Sequence, residues 1–142
     1  MADLRLVAAP PGAQEGLRAL LLAYSVALGH VGEGTLIRLP LYWTAPKRWP
    51  FLIRLEKETA GFALVRSLAE GSFEMAEFAI LPRFRRCGLG RQAAAMAFAR
   101  FPGRWRLWAT EGARRFWPNA IASAGWRPES TQDGWFHFDV AG

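Results

Sequence analysis

The chain has 142 residues, enough for one domain with one buried core. Hydrophobic residues make up 51% and charged residues 21%, a globular balance that excludes disordered and fibrous classes. The formal net charge is +6, and nine arginines lie between Arg83 and Arg115 with Glu111 as the only acid there, a field that suits phosphate-rich ligands and nucleic acids alike.

In chain order, Leu4-Arg5-Leu6-Val7-Ala8 alternates as a first strand and is closed by Pro10 and Pro11. Leu17, Leu20, Leu21, Tyr24 and Leu28 then recur at helical spacing, with Gly29 as the stop. From Val31 to Pro50 the chain is rich in Pro, Gly and aromatics, and reads as a long irregular connection with room for one helical turn. Phe51–Glu56 and Gly61–Val65 form a predicted hairpin across Lys57 to Ala60. A long apolar strand from Phe73 to Leu81 follows. A helix from about Arg91 to Phe101 presents Ala94, Phe98 and Phe101 on one face. Arg104 to Ala109 alternates as a strand. Ala113, Phe116, Trp117, Ala120, Ile121 and Ala124 mark another helix, ended by Gly125, in which Pro118 demands a late start or a kink. Trp135 to Val140 closes the chain as a strand after an Asp133-Gly134 turn. No internal repeat or domain boundary interrupts this order, so residues 1–142 are expected to form one α/β (α+β) domain with a mixed central sheet.

Several further classes fall away. The single cysteine, Cys87, excludes an internal disulfide and a cysteine-built metal site, and two histidines (His30, His137) make no metal centre. No metal is expected. The apolar runs are too short to span a bilayer. The first residues, Met-Ala-Asp-Leu-Arg-Leu, lack the long apolar region of a signal peptide, so no membrane association and a cytoplasmic location are expected.

The most informative stretch is residues 74–92, Glu-Met-Ala-Glu-Phe-Ala-Ile-Leu-Pro-Arg-Phe-Arg-Arg-Cys-Gly-Leu-Gly-Arg-Gln. Here a strand stops at Pro82 and passes through a basic turn holding Gly88 and Gly90. An alanine-rich helix then opens at about Leu89 to Arg91. Glycines let the backbone approach closely, and the first amides of a helix lack internal partners and favour an anion. The spacing is neither the dinucleotide fingerprint nor a Walker loop. Arg85-x-x-Gly88-x-Gly90, preceded by Phe78-Ala79-Ile80-Leu81-Pro82, resembles the pyrophosphate loop of the GNAT acetyltransferase superfamily. The order of elements is similar to that fold over nearly the whole chain, most closely from about Trp49 to Trp126.

The resemblance implies a GNAT-like acyl-CoA N-acyltransferase fold with helices on both faces of the sheet. It further implies an acetyl-CoA-dependent N-acetyltransferase, with acetyl-CoA as co-substrate and an amine acceptor as partner. Backbone groups of Phe78, Ala79 and Ile80 would hold the pantetheine arm and the thioester carbonyl. The Arg85 motif and the amides of Arg86, Cys87, Gly88, Leu89, Gly90 and Arg91 would cradle the pyrophosphate. Thr110, in the place of a family Asn, would bond the arm. Family members frequently form homodimers. The alternatives are a non-catalytic acyl-CoA-binding or sensing module, favoured by Trp117 standing where the family carries a Tyr, and an RNA or DNA binder, which needs no such turn.

Glu77 and Glu74 are the candidate catalytic carboxylates, since acetyl transfer needs a neutral amine and a group to take its proton. Spacing of three places them on opposite faces of a strand unless a bulge intervenes. Glu77 is preferred because it lies nearer the expected thioester. Pairing with an arginine at the sheet edge is the alternative for each. The aromatic segment Tyr42 to Trp49 is expected either to wall the acceptor or to cap the core.

Overall fold

The computed structural model describes residues 3–28, 33–85 and 87–142; the side chains of 24–28 and 33–35 are not described. Seven strands form one sheet in the order β1-β2-β3-β4-β5-β7-β6. They are β1 (Leu4–Ala8), β2 (Arg48–Leu55), β3 (Glu58–Ala69), β4 (Ser72–Ile80), β5 (Gly103–Trp108), β6 (Glu129–Ser130) and β7 (Trp135–Val140). All neighbours are antiparallel except β4 and β5, which are joined by a helical crossover and run parallel. The sheet is therefore mixed, as the pattern of elements implied.

Among the described residues five α-helices accompany it: α1 (Gln14–Leu28), α2 (Glu33–Arg38), α3 (Leu41–Thr44), α4 (Leu89–Arg100) and α5 (Phe116–Ser123). The alternation of β2 to β4 divides their side chains between two apolar layers. Leu17, Leu21, Leu39 and Tyr42 pack on Phe62, Leu64 and Ala79 on one face. On the other, Ala94, Phe98, Trp117 and Ile121 pack with Val65, Met75, Trp105 and Phe138. Helices cover both faces, as expected of a buried mixed sheet.

The sequence-based expectations for β1 and β7 coincide with the strands, but three elements differ. The segment from Val31 to Pro50 holds α2, α3 and the start of β2 rather than one turn; Val31 itself lies outside the described residues, as does the Gly29 stop. Tyr42 and Leu39 are buried, so tertiary packing supports helices too short to persist alone. The β2–β3 turn is tighter than Lys57 to Ala60: Leu55 already pairs with Glu58, and Glu56 takes a positive φ of 55° to close it. The late start that Pro118 demands is found: Ala113 lies in a separate 3₁₀ turn, and Pro118 is the third residue of α5, in the first turn, where its missing N–H removes no helical bond. A short β6 also pairs with β7, with no sequence periodicity to announce it.

Candidate functional site

The parallel ladder between β4 and β5 ends at the pair Met75–Leu107. Beyond it the two strands are drawn toward their outer neighbours. Ile80 pairs with Gly61 on β3, and the Leu81 amide donates to the Ala60 carbonyl at 2.7 Å. That approach requires glycine at 61, because a Cβ there would lie 2.0 Å from the Ala79 oxygen. On the opposite side, Trp108 pairs with Trp135, and the Ala109 amide donates to the Gly134 carbonyl at 2.9 Å. Phe78 and Trp117, with ring centroids 5.1 Å apart, pack beside the gap. The result is a cleft of about 530 Å³ lined by the end of β4, the start of α4 and the segment leading into α5.

The turn after β4 is built to leave amides open. Pro82–Phe84 makes one 3₁₀ turn, and the Arg85 Nε donates to the Ile80 carbonyl at 2.7 Å, tying the turn to the strand end. Gly88 caps α4 at φ 79°, and no side chain caps the helix. The first amides of α4 thus keep their donor capacity. Gly90 lets α4 sit against α5, since a Cβ there would meet the Phe116 ring at 3.0 Å.

Of the residues singled out in the sequence, Phe78, Ala79, Ile80, Arg85, Gly88, Gly90, Arg91 and Thr110 all line this cleft. Leu89 does not, because its side chain is buried in the core. Cys87 is exposed and its Sγ donates to the Phe84 carbonyl at 3.1 Å. Arg86 lies outside the described residues. Gly112, Ala113, Phe116 and Trp117 complete the lining. The helical stripe read from the sequence included three of them, but nothing in it marked Gly112 as part of a wall.

On the other face of β4 the register slips by one residue. Leu64 pairs with Glu77 and Val65 with Met75, so Ala76 is an extra residue in a β-bulge. The bulge turns Glu74 and Glu77 to the same face, where both line a pocket of about 220 Å³ with Arg38, Tyr42, Leu64 and Arg66.

Glu74 is buried, accepting from the Arg66 Nε on Oε2 at 2.8 Å and from the Arg106 Nε on Oε1 at 3.3 Å. Both its oxygens are therefore engaged by guanidiniums, from β3 on one side and β5 on the other. These ion pairs lie in mid-sheet and not at its edge. Burial pushes the Tyr42 hydroxyl up to about 12, opposed by the nearby Arg48 charge, so Tyr42 stays neutral at ordinary pH.

Within the aromatic segment, Tyr42 lines the pocket, Trp43 packs in the core with its indole N–H on the Ala9 carbonyl at 3.0 Å, and Trp49 packs against Phe101 on the opposite face with the rings tilted by 44°. The arginine-rich stretch is partly spent on internal contacts: Arg83 with Glu58, Arg100 with the Leu6 carbonyl, and Arg104 with Asp139 and Glu129. Among the described residues no group of three or more His, Cys, Asp or Glu is placed to hold a metal. No described helix is long and apolar enough to cross a membrane.

The fold is similar to that of several solved acetyltransferases. An acetyltransferase from Thermus thermophilus superposes with a TM-score of 0.72 at 19% identity, covering 97% of each chain. The PaiA N-acetyltransferase from Thermoplasma acidophilum, solved with coenzyme A, gives 0.63 at 13% identity over 99% of each chain. A spermidine N-acetyltransferase chimera involving Vibrio cholerae gives 0.68 at 14% identity, over 97% of this chain and 95% of that one. A search of curated protein sequences returns no significant match. The family model for the Acetyltransferase (GNAT) family matches residues 18–119, well over half the chain. With a parallel ladder that parts beside an uncapped helix start, and with that match, the chain belongs to the GNAT acetyltransferase family.

Proposed function

We propose that the protein transfers the acetyl group of acetyl-CoA directly to an amine, with no covalent enzyme intermediate. The observation that carries this reading is the parting of β4 from β5 beyond Met75–Leu107, beside the uncapped amides that follow Gly88. The open side of Phe78, Ala79 and Ile80 suits the amide-bearing pantetheine arm, which adds to β4 as a short strand would. Amides from Cys87 to Arg91, with Arg85 and Arg91 beside them, suit the pyrophosphate.

The acceptor enters from the face carrying the bulge. Its nitrogen attacks the thioester carbon, an N–C bond forms, and the C–S bond breaks with its electron pair leaving on sulfur. Glu77 takes the proton lost by the nitrogen, because it lies nearer the end of β4 where the thioester is expected; Glu74, clasped by Arg66 and Arg106, anchors the bulge. Solvent supplies the thiolate's proton: Trp117 is buried against Phe78 and Phe116, and an indole N–H donates hydrogen bonds without yielding a proton.

That same residue favours the second reading, an acyl-CoA-binding module without turnover. A thermal-shift titration with acetyl-CoA followed by a free-thiol release assay across an amine panel separates the two. Binding with amine-dependent thiol release supports the enzyme. Binding without release from any amine supports the module, and absence of binding removes both.

A further inference from the structure

The pocket beside Glu77 has a charge pattern of its own. Three guanidiniums (Arg38, Arg66 and Arg106) meet two carboxylates (Glu74 and Glu77) around it. Arg66 and Arg106 share Glu74. Arg38, at the C-terminal end of α2, makes no hydrogen bond or ion pair among the described residues, yet it lines the pocket together with Glu77. Tyr42 remains neutral there and adds no charge. Arg48, over the Tyr42 ring, adds to the positive side, so the described side chains here keep a surplus of positive charge, part of it on Arg38, whose planar fork matches a carboxylate.

We infer that the acceptor is a small amino acid, whose amine lies beside Glu77 and whose carboxylate is held by Arg38. The inference rests on the acetyltransferase reading above and extends it to the acceptor class. A simple alkylamine leaves Arg38 uncompensated. A polyamine fares worse, because its second ammonium enters a site already in surplus of positive charge. The volume of about 220 Å³ admits a small molecule, and Leu64 and Ala76 offer its side chain an apolar wall.

The test compares acceptors that differ only by the carboxylate: phenylalanine with phenethylamine, leucine with isopentylamine, and lysine with cadaverine. O-phosphoethanolamine with ethanolamine forms a fourth pair. Thiol release and calorimetric binding to the CoA-loaded protein are both measured. The carboxylated member is expected to win by about tenfold or more in kcat/KM and in affinity. Arg38→Gln should collapse that ratio through KM, while Arg127→Gln, an exposed arginine outside both cavities, leaves it unchanged.

Equal use of both members, or a preference confined to the phosphorylated pair, overturns the inference and leaves the enzyme standing. Should CoA bind without any turnover, the calorimetric ratio still decides: matched affinities overturn the amino-acid assignment, and a ratio lost in Arg38→Gln sustains it. Failure to bind CoA at all removes the reading on which it rests.

Discussion

Gly88 allows the phosphate assignment to be isolated from the stability of the fold. It sits at φ 79°, and a Cβ placed on it meets no atom within 4 Å. Asn and Asp both tolerate that backbone region better than other side chains, so each variant should cost about 1 kcal/mol of folding stability. In a chain of this size that lowers Tm by about 2–4 °C. The two variants are nearly the same shape and differ by one charge. A carboxylate about 5 Å from a phosphate charge is opposed by about 3 kcal/mol at an effective dielectric near 20. Screening in an open cleft reduces this to about 1.5–3 kcal/mol, or a tenfold to hundredfold weaker Kd for Gly88→Asp than for Gly88→Asn. Calorimetry with acetyl-CoA at low and high salt measures the gap, which should shrink as salt rises. Equal affinities of the Asn and Asp variants at low salt would refute the claim that a diphosphate lies at the start of α4.

Three other outcomes are expected. Glu77→Gln should lower kcat by about a hundredfold with acetyl-CoA affinity intact, and should remove the loss of rate on acidification that a protonating base imposes; a wild-type rate and pH profile would reassign the proton to water. Glu74→Ala strips Arg66 and Arg106 of their shared partner. Their side chains are 32% and 36% exposed, so water recovers part of the loss and about 1–3 kcal/mol should disappear from the unfolding free energy, against nothing if the clamp is ornamental. Tyr42 titrates near 12 when folded and near 10 when unfolded, so the folded state holds its proton more tightly. The hydroxyl's contribution to stability should therefore be constant below pH 10 and fall by about 2–3 kcal/mol as pH rises toward 12. Denaturant unfolding of Tyr42→Phe should lack that part of the alkaline slope, and an identical slope would show the hydroxyl to be solvated.

The strand–turn–helix from Phe73 onward was legible in the sequence because its signals are local. Pro82 ends a strand, Gly88 supplies a left-handed backbone, and a long apolar run gives way to an alanine-rich helix. The same locality located the backbone groups that line the cleft. It failed from Val31 to Pro50, where α2 and α3 are too short to carry a period and are held by burial of Leu39 and Tyr42.

The pocket that holds Glu74 and Glu77 belongs to the tertiary structure for a different reason. Whether Glu74 and Glu77 share a face turns on one unpaired residue, Ala76, and a bulge is a property of two strands in register rather than of either sequence alone. Arg66 and Arg106 reach Glu74 from neighbours 8 and 32 residues away, and Arg38 joins them through a helix with no legible pattern. Backbone conformation is written residue by residue, whereas the meeting of charges depends on how distant strands align, and only the folded sheet decides that.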